Sequence, residues 1–251
     1  MDLGLDGGVY VISGGTRGLG RATAEVLIEE GARVVVSGRD PHSTLAAAAE
    51  LRTDRALGVV ADNADPQAPE RLVASAVARF GRIDGAMISV GGPPAGGLSD
   101  VTDEQWRASF DSVFLGAVRL GRAVARGLPQ RGGSIVFVLS SSVREPIGGL
   151  AISNGLRPGL AMIAKMMADE LGPKGIRVNG LLPGRVSTDR IKSLDAGLSQ
   201  SDIDRVHASI PLGRYGQPAE FGRAAAFLLS PASSYITGVM LPVDGGMLRT
   251  L

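Results

Sequence analysis

Short apolar runs alternate with longer segments of helical composition along the whole chain. The apolar runs are rich in β-branched residues, have the length of buried strands and cover residues 9–12, 32–37, 56–61, 84–90, 133–140, 176–181 and 238–243. The segments of helical composition cover residues 21–30, 41–53, 66–80, 102–128, 152–171 and 218–229. Repeated strand and helix units with short connections predict an α/β fold, in which one parallel sheet carries helices on both faces, in a single domain.

The first apolar run breaks into a glycine-rich turn and resumes as a helix. A strand, a glycine turn and a helix start form a phosphate-binding arrangement, because free N–H groups and the positive end of the helix dipole face an anion. Gly14, Gly18 and Gly20 carry no Cβ, so a pyrophosphate can approach the backbone closely. By itself, such a cluster also fits a plain strand-to-helix turn that needs positive φ.

Two arginines are placed where a second phosphate would lie. In a parallel sheet the ligand sits at the carboxyl ends of the strands, and Arg39 follows the second strand where NAD-binding sites usually carry an acid. An arginine there pairs with the 2′-phosphate of NADP, and Arg17 in the glycine turn can reach the same group. The alternative is that both are solvated surface arginines.

Several later strand ends also carry candidate residues. Asp62 and Asn63 follow the third strand, where they would hydrogen-bond adenine or simply cap the loop. Gly91 follows the fourth strand and lets the chain pass close to a cofactor. Residues 184–214 are polar, are expected to hold one or two short helices, and form either a substrate-side lid or a variable surface loop.

Composition narrows the function classes. The 251 residues are 44% hydrophobic and 20% charged, with a net charge of +1, so nothing indicates nucleic acid or an anionic membrane surface as a partner. The absence of cysteine excludes disulfides and thiolate metal sites, and the only histidines, His42 and His207, are far apart in sequence. No metal site is predicted. Without a leader-like N-terminus or a membrane-spanning apolar run, we expect a cytoplasmic protein.

Taken together, these motifs resemble the short-chain dehydrogenase/reductase family over essentially the whole chain. The segments that carry the resemblance are residues 13–20, Asp62, the serine that closes the fifth strand, residues 177–179, residues 183–188 and residues 236–246. The resemblance implies a Rossmann-type sheet of seven parallel strands, NADP(H) or NAD(H) binding, and a homo-oligomer, often a tetramer. The branch it resembles most is that of the 3-oxoacyl-thioester reductases.

The catalytic positions depart from the family pattern. In that family a Tyr-x-x-x-Lys pair transfers the proton and holds the nicotinamide ribose, a serine orients the carbonyl, and an asparagine supports a relay water. Here the serine matches Ser140, the tyrosine position falls on Ser153 and the lysine position on Arg157, while Val113 takes the asparagine position. A serine hydroxyl is a poor proton donor compared with a phenol, and arginine stays protonated. The alternative is that Ser153 caps a helix and Arg157 is a solvated charge.

The predicted function follows from these residues. We predict Ser140, Ser153 and Arg157 as the catalytic group. The resemblance and the strand ends predict the following residues to bind NADP(H): Gly14, Thr16, Arg17, Gly18, Leu19, Gly20, Arg39, Asp62, Asn63, Gly91, Arg157, Pro183, Gly184, Val186 and Thr188. The expected activity is NADP(H)-dependent hydride transfer to a carbonyl or a related electrophile on a small molecule. The alternative is a non-catalytic NADP(H)-binding sensor or assembly subunit.

Overall fold

One seven-stranded parallel sheet forms the centre of the protein. The computed structural model describes residues 2–52, 54–129 and 132–250, and the strand order is β3-β2-β1-β4-β5-β6-β7, with every neighbouring pair parallel. The strands are β1 Val9–Ile12, β2 Arg33–Gly38, β3 Ala56–Val60, β4 Gly85–Ile88, β5 Gly133–Val138, β6 Ile176–Pro183 and β7 Met240–Val243. The predicted parallel α/β sheet is confirmed.

Helices cover both faces of this sheet. They are α1 Gly18–Glu29, α2 Pro41–Leu51, α3 Ala68–Phe80, α4 Asp103–Ser109, α5 Gly116–Gly127, α6 Ala151–Leu171, α7 Asp189–Asp195, α8 Gln200–Ser209 and α9 Pro218–Leu229. One apolar core lies between the sheet and α3, α5 and α6, with Leu72, Leu120 and Leu160 at its centre. The other lies under α1, α2 and α9, and includes Leu27 and Phe221. Burial on both faces explains why the strands read as continuous apolar runs.

The direction of the chain across the sheet reverses between β1 and β4. From β1 the chain winds outward through β2 to β3, then returns to place β4 on the other side of β1. The loops that follow β1 and β4 therefore part from each other at the carboxyl edge. Ligands of doubly wound sheets bind in the crevice at this switch point.

The main difference from the predicted elements lies in residues 102–128. The sequence predicts one long helix there, but a π-helical segment, Phe110–Leu115, separates α4 from α5. A π segment accommodates an extra residue in a helix and is frequent at functional sites. Val113, which the resemblance predicts to take the asparagine position, lies in this segment with its side chain in the core.

Smaller differences lie at the ends of elements. The predicted fourth strand, residues 84–90, is shorter as β4 because the amide of Ser89 donates to the Ser13 hydroxyl, at 3.0 Å, rather than to a neighbouring strand. The predicted helix over residues 41–53 ends at Leu51, and residue 53 lies outside the described residues. The polar stretch after β6 contains two short helices, α7 and α8, as predicted.

Candidate functional site

The glycine turn after β1 folds tightly against its neighbours. Gly14 and Gly18 have φ of +61° and +57°, a region that glycine adopts at little cost. A Cβ added to Gly14 would lie 2.8 Å from the carbonyl oxygen of Ser89, and one added to Gly20 would lie 2.2 Å from the carbonyl oxygen of Gly14. Gly14 and Gly20 thus allow the backbone to pack against itself and against the end of β4, in addition to any ligand that approaches them.

The first turn of α1 is open to a ligand. Arg17 occupies the N-cap position, and no side chain caps the helix. Gly14 and Arg17 are exposed, and Thr16 and Leu19 are half-buried. The leading amides of this helix, with the positive end of its dipole, therefore face the crevice at the switch point, as an anion site requires.

The end of β2 presents a cation instead of a carboxylate. Arg39 is exposed and forms no ion pair with any residue that the structure describes. The next residue, Asp40, caps α2 by accepting a hydrogen bond of 2.7 Å from the Ser43 amide. That backbone hydrogen bond lowers the pKa of Asp40. The Asp40 carboxylate is thus directed at the helix, whereas Arg39 remains an exposed cation at the end of β2.

The residues after β3 are largely engaged by their own loop. The Asp62 carboxylate accepts a hydrogen bond of 3.0 Å from the Ala64 amide. The Asn63 backbone packs against α5, since a Cβ on Gly116 would lie 2.3 Å from the Asn63 carbonyl oxygen. The Asp62 carboxylate therefore caps its own loop, as the alternative interpretation predicts. Its side chain nevertheless remains exposed at the rim.

The segment after β6 reaches the glycine turn. A Cβ added to Gly18 would lie 3.6 Å from the Thr188 methyl group, so Thr188 lies over the start of α1. Pro183 ends β6, Gly184 packs closely on Asp244, and Val186 is buried. Gly18 and Thr188, both predicted to bind NADP(H), are thus neighbours at one edge of the sheet.

Three serines gather after β5. The Ser140 hydroxyl accepts a hydrogen bond from the Ser142 amide at 3.1 Å, and the hydroxyl oxygens of Ser142 and Ser153 are 3.4 Å apart, both buried. Helix α6 begins at Ala151 after Leu150, so Ser153 lies inside the helix and does not cap it. The capping alternative is wrong. The sequence analysis assigns no role to Ser142, and the run Ser140-Ser141-Ser142 is the signal that points to it.

Arg157 is buried at the same edge, one helical turn after Ser153. Its side chain is 5% exposed, and its guanidinium donates to the carbonyl oxygens of Val138 at 2.7 Å and of Val90 and Gly91 at 3.4 Å. Among the described residues, its Nε has no hydrogen-bond partner and no carboxylate pairs with its guanidinium. The alternative of a solvated charge is wrong.

Burial changes the acidity of Arg157 without removing its charge. Desolvation, followed by the nearby charge of Arg190, lowers its pKa to about 10. A group with this pKa stays protonated at neutral pH, so Arg157 is a fixed buried cation. A cation beside hydroxyl groups stabilises developing negative charge on a substrate oxygen.

The tyrosines lie elsewhere. Tyr10 is a residue of β1 with its side chain in the core, where burial raises its pKa to about 12. Tyr215 donates to Asp195 in the segment after β6, and Tyr235 is fully exposed. None replaces the family's phenol beside Arg157.

In the described residues, no group of three histidine, aspartate or glutamate side chains lies close enough to hold a metal ion. No helix in the described ranges is long and apolar enough to cross a membrane.

Comparison with known proteins agrees with the resemblance to the short-chain dehydrogenase/reductase family. Residues 14–248 match the family model described as enoyl-(acyl carrier protein) reductase. A 3-oxoacyl-(acyl-carrier-protein) reductase of Vibrio cholerae is 32% identical over 248 residues, which cover 98% of this chain and 99% of that protein.

Solved structures match the fold along its full length. An L-sorbose reductase of Gluconobacter frateurii, complexed with NADPH and L-sorbose, is 31% identical with a TM-score of 0.92, and the match covers 100% of both chains. A short-chain oxidoreductase of Pseudomonas aeruginosa, described as containing an atypical catalytic center, is 30% identical with a TM-score of 0.90 over 100% of both chains.

Proposed function

Because the chain belongs to the short-chain dehydrogenase/reductase family, we propose that it is an NADP(H)-dependent oxidoreductase with an atypical catalytic site. It transfers hydride to a carbonyl or a related electrophile. The observation that carries the proposal is the buried, protonated Arg157 beside the serine hydroxyls, at the edge where an uncapped helix start faces the crevice.

The residues present fit a dinucleotide. No described side chain caps the start of α1 by a hydrogen bond, and Arg17 and Arg39 lie exposed at the ends of adjacent strands without carboxylate partners in the described chain. We assign the pyrophosphate to the turn, the 2′-phosphate to the two arginines and the carboxamide end to Thr188. The other proposed contacts are Gly14, Thr16, Gly18, Leu19, Gly20, Asp62, Asn63, Gly91, Arg157, Pro183, Gly184 and Val186.

NADPH, when bound, supplies the hydride. Ser140 and Ser153 then orient the acceptor oxygen or nitrogen by hydrogen bonding, and Arg157 stabilises the negative charge that develops there. Because serine is a weak acid, the site suits an acceptor that needs no strong proton donor, such as an activated enone, an imine or a product with a diffuse oxyanion. The Pseudomonas relative with an atypical catalytic center is a precedent within the family.

Three features accompany this function. Residues 184–214 form a lid over the substrate side. The outer face of α4–α6 exposes Phe110, Met162 and Met166, 44%, 64% and 49% accessible, and suits a homo-oligomer, either dimer or tetramer. Size-exclusion chromatography with light scattering tests that assembly. The cytoplasmic location stays a prediction.

The experiment combines binding with turnover. Fluorescence titration gives the affinities for NADPH and NADH, and NADPH oxidation is followed with a panel of ketones, enones and imines. We expect NADPH to bind more tightly than NADH and at least one enone or imine to be reduced, with Ser153→Ala slower than the wild type and Ser234→Ala, an exposed serine far along the chain, unchanged. Tight NADPH binding with no turnover would favour the sensor or assembly subunit, and no nucleotide binding would contradict both.

A further inference from the structure

One cation of the lid segment has no carboxylate partner. In residues 184–214, four cations pair with acids, as Arg185 with Asp195, Lys192 with Asp189, Arg205 with Asp202 and Arg214 with Glu220. Arg190 forms no such pair with any described residue, although it lies directly after Asp189. Its only described hydrogen bond goes to the Pro93 carbonyl oxygen, at 2.9 Å.

Arg190 and Arg157 converge on one loop. Arg157, from α6, donates to the carbonyl of Gly91. Arg190, from α7, lies over the next residue, since a Cβ on Gly92 would be 2.9 Å from its Nε. The loop after β4 is thus contacted by a guanidinium from each of two helices.

The convergence concentrates positive charge at the substrate side. The charge of Arg190 adds to burial in lowering the pKa of Arg157, so the two groups interact electrostatically. Two cations without counter-charges at one place are unfavourable in the unliganded protein. The buried Nε of Arg157 is, in addition, unpartnered among the described residues. An anionic ligand group would supply the missing charge.

We propose that Arg190 binds an oxyanion group of the bound ligands, strengthened by the buried charge of Arg157. This rests on the proposed function, since it names the charge class of what binds at that site. The oxyanion is either a carboxylate of the substrate or the diphosphate of the cofactor. Because Arg190 is exposed and its guanidinium contacts the loop after β4, it can meet a ligand that binds at that loop directly.

The test compares four probes on the wild type and on variants of the full chain. Isothermal titration measures NADPH, inorganic pyrophosphate, 4-oxopentanoate and its neutral amide against the wild type, Arg190→Gln and Arg205→Gln. Arg205→Gln removes the same charge from the lid segment at an arginine that has its own acid, so it controls for net charge. The oxo acid and its amide are titrated with and without NADPH.

We expect Arg190→Gln to weaken the oxo acid by about tenfold, as for the loss of a charge-assisted hydrogen bond, while the amide and NADPH are unchanged. Arg190→Lys should restore part of the loss. An equal loss for NADPH and pyrophosphate, with the oxo acid unaffected, would assign the oxyanion to the cofactor and also support the subsite.

Two outcomes overturn the proposal. Either Arg190→Gln matches Arg205→Gln with every probe, or no anionic probe binds to the wild type. Failure of the proposed function is distinct, because it would appear as a wild type that binds no NADPH, while pyrophosphate and the oxo acid would still report on Arg190.

Discussion

The two ends of the candidate site are built in opposite ways. At the ends of β1 and β2, the functional candidates Arg17 and Arg39 are exposed and without acid partners in the described chain. At the ends of β4 and β5, Ser153 and Arg157 are buried and hydrogen-bonded to groups of the protein. The proposed phosphate end is thus an exposed surface, whereas the proposed reactive end is buried and hydrogen-bonded to the protein.

We expect the largest effect on stability and nucleotide binding from a substitution in the glycine turn. Gly20→Ala places a methyl group 2.2 Å from the Gly14 carbonyl oxygen, and neither backbone segment can move away freely. We expect a loss of about 3 kcal/mol in the free energy of unfolding, as for severe overpacking, and loss of NADPH binding. Urea unfolding and nucleotide titration measure both. Gly197→Ala, at a site with nothing near the added Cβ, should leave them unchanged; equal behaviour of the two variants would show that the turn is not tightly packed.

The next effect separates chemistry from structure at the buried end. Arg157→Met removes a desolvated charge together with its hydrogen bonds to carbonyls, so we expect stability within about 1 kcal/mol of the wild type. Turnover should fall by about a hundredfold or more, because an oxyanion-stabilising group is lost. Thermal unfolding and steady-state kinetics measure the two. A large loss of stability with little change in rate would make Arg157 a structural residue only.

A smaller effect concerns the choice of cofactor. Arg39→Asp should weaken NADPH binding by about tenfold through loss of a charge-assisted hydrogen bond, and should affect NADH little. Fluorescence titration with both nucleotides measures this. Arg33→Asp makes the same charge change at the opposite end of β2 and is the control. Equal weakening of both nucleotides would contradict the 2′-phosphate role.

The smallest effect is a pH dependence of stability. Burial lowers the pKa of Arg157 to about 10 in the fold, so above that pH the unfolded chain binds more protons and folding becomes more favourable as pH rises. Tyr10, whose pKa is raised to about 12, contributes with the opposite sign. We therefore compare the wild type with Arg157→Met, which shares Tyr10. Between about pH 9 and about pH 11, the unfolding free energy of the wild type should rise relative to that of Arg157→Met. A difference between the two proteins that does not change with pH would contradict the buried charge.

Much of the fold was predictable because its signals are local. Strand runs such as residues 9–12 and 56–61 are apolar on both faces, and turn residues separate them, so the parallel sheet follows from pattern alone. The π-helical break at Phe110–Leu115 was not, because nothing in the helical composition of residues 102–128 distinguishes a π turn from an α turn.

The site divides in the same way. The glycine turn and Arg39 could be placed from sequence, because each lies at a strand end. The contact between Ser142 and Ser153, and that between Arg190 and Pro93, join segments 11 and 97 residues apart in the chain. Contacts of this kind depend on how α6 and α7 pack, which no single stretch of sequence encodes. The buried state of Arg157 likewise depends on the neighbouring strands.

The close approach of Gly20 to Gly14 means that glycines at these positions are needed for folding as well as for binding. A lineage of this protein that stopped using a nucleotide would still need glycine at both positions to fold the turn after β1. The motif would then persist as a relic of ancestry. For proteins of this kind, evidence of a working enzyme has to come from the reactive end of the crevice, where selection for chemistry leaves its own mark.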